Sequence, residues 1–300
     1  MISINKKFAR PSLLIAGCGD VGLRLIPLLL PYFKVFASTS QPQRFTELRA
    51  AGALPVLMNF DQRAGLRRWR GVFDKVIYLA PPPAVGDKDS RSRNLAAILP
   101  HKAQIVYVST TGVYGDCKGA YFDETRPLNP TNARAVRRVW AERFWRSWAI
   151  QHQARLSILR VPGIYAADRL PLQRLQKATP ALIAAEDVYT NHIHADDLAY
   201  LLVQALHHGK ANRVYHAVDD TEMKMADYFD LVADHFQLAR PPRLPRHELE
   251  TQISPVLLSF MSESRRLSNF RIRQELRAKL RYPSVADGLR GLDLTIGKHK

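Results

Sequence analysis

Cysteine is almost absent from this 300-residue chain, which has Cys18 and Cys117 alone. One pair cannot build a disulfide framework, so a small stapled secreted fold is excluded and a cytoplasmic location is expected. Long apolar runs are missing as well. The stretch from Leu13 to Leu30 follows Lys6, Lys7 and Arg10 in the manner of an export signal, but Asp20, Arg24 and the glycines interrupt it. That argues against both export and a membrane span. Acidic residues are scarce too, 27 against 44 Lys and Arg, which leaves a formal charge of +17. Finally, no tyrosine lies between Tyr121 and Tyr165, and no lysine between Lys118 and Lys177.

The basic excess favours anionic partners. It gathers at Arg134, Arg137, Arg138, Arg143 and Arg146, and again from Arg265 to Arg281. No recognised nucleic-acid motif accompanies it, so nucleic acid is not the expected partner. The plain reading is a solvated basic surface, with a small anionic substrate or incidental RNA binding as the alternatives.

What the chain does contain is a strand, a glycine turn and a helix at its start. Leu13 to Ala16 run into Gly17, Cys18, Gly19, Asp20, Val21 and Gly22, and apolar helical sequence follows. In such a turn the first glycine permits the bend, the second lets backbone N–H groups approach a pyrophosphate, and the third allows close packing of helix on strand. The phosphate then sits on the positive helix end. Gly17, Gly19, Asp20, Val21 and Gly22 are therefore assigned to a dinucleotide. Pro27 should kink the first helix or end it early.

Strand-like runs recur at Val35–Ala37, Leu54–Met58, Lys75–Leu79, Ile105–Ser109 and Leu156–Arg160, separated by helix-like crossovers. This alternation predicts a Rossmann-type doubly wound parallel sheet of the α/β class. After Val161 it weakens. Residues 1–161 are read as the NAD(P)-binding domain and 162–300 as a smaller C-terminal substrate lobe, partly interleaved with the first. In that lobe Tyr189–Ile193 and Arg213–Val218 read as strands, Asn269–Leu280 as a helix, and Arg240–Pro245 as a stiff connector.

A carboxylate about 20 residues beyond the glycines ordinarily selects NAD by binding the ribose hydroxyls. Here the equivalent stretch reads Phe36, Ala37, Ser38, Thr39 and Ser40, with Arg44 behind it. Hydroxyls and a guanidinium suit a 2′-phosphate, so NADP is expected ahead of NAD, with Ser38 and Arg44 as contacts.

At the end of the fifth strand, Val108, Ser109, Thr110, Thr111, Gly112, Val113, Tyr114, Gly115 and Asp116 resemble the extended short-chain dehydrogenase/reductases, the NAD-dependent epimerase/dehydratase group. Asp61, Ala80 to Pro83, Arg160 to Tyr165, Ile193 to Leu198 and Ser264 to Arg266 extend the resemblance nearly end to end. It implies that Asp61 contacts the adenine, that Ala80 and Pro81 line the cofactor, and that Pro162 and its neighbours border the nicotinamide. It also implies a small-molecule substrate oriented by the Thr110 hydroxyl.

The family's catalytic tyrosine and lysine, one helical turn apart, have no counterparts. Counting back from Glu142 puts Arg134 and Arg138 in their places. An arginine stays protonated and cannot shuttle a proton, although it can clamp a carboxylate or phosphate. Arg134 and Arg138 are thus assigned to substrate, with an exposed Arg138–Glu142–Arg146 ladder as the competing reading. Tyr165 becomes the candidate proton donor. Val136, Trp140, Phe144 and Trp148 form an apolar stripe read first as core, with a homodimer face left open because this helix pairs across subunits in much of the family. His192 and His194 are read as structural, leading into a helix capped by Asp196, with no metal. The expected activity is that of an atypical NADP-dependent oxidoreductase or epimerase; a dinucleotide-binding redox sensor or scaffold without turnover is its rival.

Overall fold

The computed structural model describes residues 10–290 and 292; Lys6 and Lys7 of the export-like stretch lie outside them. Seven strands form the central sheet: β1 Ser12–Ala16, β2 Lys34–Thr39, β3 Leu54–Leu57, β4 Lys75–Tyr78, β5 Gln104–Thr110, β6 Arg155–Val161 and β7 Arg213–His216. Their order is β7-β6-β5-β4-β1-β2-β3, every neighbour parallel. The order reverses beside β1, the crevice where open α/β sheets place their ligands.

Alternation along each strand divides the core. Leu13 and Ile15 of β1 face one side, where Leu25, Ile26 and Leu29 of α1 (Asp20–Leu29) pack with Leu198, Leu201 and Leu202 of a later helix. Leu14 and Ala16 face the other, with Val76, Tyr78, Leu95 and Trp145. This period of two is what strand geometry demands, and burial on both faces explains the nearly unbroken apolar sequence of the strands. Pro27 is accommodated inside α1, which runs two residues beyond it.

Further helices are α2 (Phe45–Ala50), α3 (Ser90–Ala96), α4 (Ala133–Gln151), α5 (Ala195–His208) and α6 (Met225–His235). The second half of the chain is shared between the sheet and a smaller cluster. β7 pairs with β6, and α5 lies against α1, whereas Tyr165, Leu182, Phe229, Val232, Leu249 and Val285 form a core of their own. The sheet therefore takes its last strand from beyond residue 161.

Several local expectations change. Tyr189–Ile193 is not one strand: Tyr189–Thr190 pairs with Met223–Lys224, and His192–His194 with Gly163–Tyr165. Asn191 turns the backbone between them, bonding to the Arg265 carbonyl and the Leu267 N–H at 3.0 and 3.1 Å. The helix expected to Leu280 covers Phe270–Glu275, because Arg277 adopts a left-handed φ of 55°. Within the supposed connector, Arg243–Leu244 pairs with Ala181–Leu182.

Candidate functional site

The glycine turn is built by contact as well as by sequence. Gly17 has φ +86°, and a Cβ there would lie 2.7 Å from the Ala80 backbone at the end of β4. Its N–H donates to Ser38 Oγ (2.8 Å), and the Cys18 N–H to the Ser38 carbonyl (2.8 Å). Gly19 caps α1 with no side chain, and the space where its Cβ would project is open. The first-turn N–H groups of Asp20, Val21 and Gly22 have no acceptor within the helix and face that opening. A Cβ on Gly22 would meet Cys18 Sγ at 2.7 Å. The turn thus fits a diphosphate. Ser38 is corrected: it is fully buried and its hydroxyl holds the turn, instead of standing free for a 2′-phosphate.

Beside the turn lies a cleft of about 330 Å³, walled by Ser38 to Gln41, Arg44, Met58 to Asp61, Ala80, Pro81 and Arg91. No carboxylate stands at the end of β2. Arg44 donates to the Cys18 carbonyl and to Glu47. Asp61 is gripped by Arg91 through both oxygens, each at 2.7 Å, and this bonding holds its carboxyl below the usual carboxylate range. Arg91 also donates to the Pro81 carbonyl at 2.9 Å.

A larger cavity of about 850 Å³ opens over the ends of β4, β5 and β6. Pro81 to Ala84, Thr110 and Pro162 form its sheet side. Among the described lining residues are Arg91, Arg134, Arg137, Arg138, Arg169 and Arg265, against one carboxylate, Glu263. Thr110 Oγ1 accepts from the Gly112 N–H at 3.2 Å and caps the turn that follows β5. The Arg134 guanidinium lies 4.9 Å from the centre of the Phe260 ring. Arg138 donates to the Val108 carbonyl (2.8 Å) and the Tyr107 hydroxyl (3.0 Å). Arg137 is buried and donates to the Gly86 carbonyl at 2.8 Å, leaving its Nε without a partner. Glu263 accepts from Thr131, Asn132 and Arg265.

Other assignments are corrected. Tyr165 contributes its ring to the cavity wall, but the hydroxyl donates to the Ser284 carbonyl at 3.1 Å and packs against Gly288. Burial pushes the phenol's pKa well above its usual value, so Tyr165 stays protonated, with its one O–H directed at Ser284 and not into the cavity. The Arg138–Glu142–Arg146 ladder does not exist. Glu142 is 1% exposed and binds Arg160 of β6 at 2.7 and 3.1 Å and Ser109 at 2.6 Å, while Arg146 donates to the Asn212 carbonyl. Of the apolar stripe only Trp148 is buried; the core face of α4 is Ala141, Trp145 and Ala149. Trp140 and Phe144 stack on each other at 5.3 Å, partly exposed.

The cap of α5 is His194, whose Nδ1 accepts from the Asp196 N–H (3.2 Å), and Asp196 itself binds Arg24 at 2.6 Å. Among the described residues no group of His, Cys, Asp and Glu could hold a metal ion. The second basic cluster is not simply solvated either. Arg265, Arg271 and Arg273 pair with Glu263, Glu124 and Asp220. The sequence reading missed Arg91, Arg137, Arg169 and Arg265 as cavity residues. Nothing local marks them, since each is one arginine among many until the fold brings them together.

Comparison with known proteins agrees with this architecture. The human dTDP-D-glucose 4,6-dehydratase is 29% identical over 136 residues, 42% of this chain, and the bovine protein of that name matches to the same extent. The chain spans about two fifths of the length of these curated relatives (39% and 38%). A Silicibacter pomeroyi protein of unknown function superposes with a TM-score of 0.75 at 29% identity, covering 93% of this chain and 96% of that one. UDP-glucose 4-epimerase from Thermotoga maritima, solved with UDP-glucose, gives 0.75 at 16% identity, over 95% and 97% of the two chains. The dTDP-glucose 4,6-dehydratase of Streptomyces venezuelae, solved with NAD, gives 0.74 at 19%, over 93% and 94%. At such identities the last two speak for the fold, a Rossmann-type sheet shared with epimerases and dehydratases. The family model for the RmlD substrate binding domain matches residues 90–275, more than half of the chain and the whole stretch that walls the arginine cavity from α3 onward; the protein belongs to that family.

Proposed function

We propose that this protein is an NADP-preferring member of the epimerase/dehydratase group that carries out oxidoreductase or epimerase-like chemistry on a small anionic substrate of the sugar-nucleotide kind. The observation that carries the reading is the continuity of the glycine turn with a cavity whose described lining holds six arginines and one carboxylate. Residues 1–161 supply most of the coenzyme contacts and 162–300 much of the substrate wall. In the coenzyme cleft, Arg44 and the absence of an acid at the end of β2 favour a 2′-phosphate; Glu47 beside Arg44 works against it. Asp61 and Arg91 flank the adenine end, Ala80, Pro81 and Pro162 the ring.

The nicotinamide supplies or accepts a hydride when bound. This chain's own part is to orient: Thr110 offers a hydroxyl that can both donate and accept, and Arg134 and Arg138 offer permanent positive charge where the family places its proton-transfer pair. Names of relatives and neighbours, dTDP-D-glucose 4,6-dehydratase and UDP-glucose 4-epimerase, support a nucleoside diphosphate sugar as the substrate class. The partly exposed Trp140–Phe144 pair supports self-association through α4, and the two free, buried cysteines suit a reducing cytoplasm.

A second reading, coenzyme binding without turnover, is favoured by two observations: the Tyr165 hydroxyl is committed to Ser284, and arginine stands at the lysine position. Titration of NADPH and NADH against intrinsic tryptophan fluorescence tests the first half of the proposal, with NADPH expected to bind tighter. Loss of NADPH absorbance with dTDP- and UDP-4-keto sugars tests net reduction, and chromatographic interconversion of dTDP- and UDP-sugar epimers with NADP, which consumes no coenzyme, tests the epimerase-like chemistry. Binding of neither coenzyme at millimolar levels would overturn the function. Tight NADPH binding with no turnover of any such sugar would favour the second reading.

A further inference from the structure

Asp20, the first residue of α1, places a carboxylate at the mouth of the glycine turn. Around it stand two guanidiniums. Arg24, one helical turn on, is held by three acids, Asp20 at 3.2 Å, Asp196 at 2.6 Å and Asp168 at 3.3 Å. Those partners lie on α1, at the start of α5 and on the turn Ala167–Arg169, so the Arg24 guanidinium is fully engaged and ties that turn to α1. Arg169 is different. It has one recorded acid partner, Asp20 at 3.1 Å, its side chain is 35% exposed, and it lines the large cavity.

The local charges are four carboxylates, Asp20, Asp168, Asp196 and Glu47, against Arg24, Arg169 and Arg44, the last already donating to Glu47 and to the Cys18 carbonyl of the turn. A doubly charged diphosphate arriving at the first-turn N–H groups of α1 would meet a net negative flank unless a cation turned toward it. Arg169 is the cation with donors to spare, since a guanidinium carries five N–H groups in a planar fork and Asp20 engages one side of it. It stands on the short turn Ala167–Arg169, directly after the Gly163–Tyr165 strand, so it reaches the glycine turn from the opposite wall of the crevice.

We infer that Arg169 is a coenzyme diphosphate clamp, steadied by Asp20 and closing over the glycine turn from the second half of the chain. This rests on the coenzyme reading above. It assigns a binding role to a residue outside the glycine motif.

The experiment is calorimetric titration of the full-length protein and its Arg169→Ala and Arg169→Lys variants with four probes: NADPH, NADH, 2′,5′-ADP and UDP. The third probe has the adenosine, the 2′-phosphate and a single 5′-phosphate, so it lacks the second phosphate of the bridge, the one assigned to Arg169. Arg169→Ala is expected to weaken the tighter coenzyme about tenfold, the scale of one charge-assisted contact, while 2′,5′-ADP changes by less than about twofold. Arg169→Lys should recover part of the loss, because it keeps the charge without the fork. Unchanged coenzyme affinity in both variants would overturn the clamp, as would an equal loss for 2′,5′-ADP, which marks a merely structural ion pair. Loss confined to UDP would also overturn it, assigning Arg169 to substrate. If the unaltered protein bound no coenzyme at all, the coenzyme reading itself would fail, a result distinct from the others.

Discussion

Removing the Glu142 carboxylate is the sharpest perturbation the fold offers. Its side chain is 2% exposed and that of its partner Arg160 4%, with contacts of 2.7 and 3.1 Å between them and a third from Ser109 at 2.6 Å. Arg160 has other neighbours, the Tyr114 hydroxyl and the Glu124 carbonyl, but among the described residues no second acid pairs with it. Glu142→Ala would leave a guanidinium uncompensated in the interior, a situation that costs about 3–5 kcal/mol. For a chain of this size each kcal/mol corresponds to roughly 2–3 °C in melting temperature, so a drop of about 6–15 °C is expected.

Urea unfolding monitored by circular dichroism gives the free energy, and calorimetry the midpoint. The double variant Glu142→Leu with Arg160→Met should lose less than Glu142→Ala, because no buried charge remains unpaired and the Tyr114 hydroxyl keeps His216 Nε2 at 2.6 Å. A cost below about 1 kcal/mol for Glu142→Ala, or a double variant worse than the sum of the singles, would refute the buried-pair argument.

Gly17→Ala must place a methyl 2.7 Å from the Ala80 backbone at a φ of +86°, so coenzyme affinity should fall by more than about tenfold, read by calorimetry. Asp219 is buried with Oδ2 unpartnered, and burial lifts its pKa to about 7, so its ionised form burdens the fold as pH rises. Because the folded pKa exceeds the unfolded one, the stability of the unaltered protein relative to Asp219→Asn should decline by about 1.4 kcal/mol per pH unit between pH 5 and 7, and level off above; a difference independent of pH in urea titrations would count against it. Tyr165→Phe should cost about 1 kcal/mol for the lost bond to Ser284 and leave coenzyme affinity and any turnover unchanged; a tenfold fall in turnover would restore Tyr165 as a proton donor.

The sheet and its glycine turn were legible because both are written locally: Leu13 to Gly22 carry strand, bend and helix start within ten residues. Arg44 and Asp61 lie just past β2 and β3, which is why both wall the cleft beside that turn. What was not legible depended on partners distant in sequence. Glu142 sits between Arg138 and Arg146 in the spacing of a surface ladder, yet its partner is on β6. Tyr165 stands where the sequence placed it, but the direction of its hydroxyl is set by Ser284, 119 residues later. The cavity arginines come from α3, α4, the 167–169 turn and the segment near residue 265, so no window of sequence holds them together.

The supply of the sheet's last strand from residues 213–216 bears on how the chain acquires its shape. A fragment ending at residue 161 would bare the hydrogen-bonding edge of β6 and strip α1 of its cover from α5, exposing Leu25, Ile26 and Leu29. Such a fragment would be a sticky, half-clothed sheet and not a self-sufficient nucleotide module. During synthesis on the ribosome, the seven-stranded sheet cannot be completed until residue 216 has emerged.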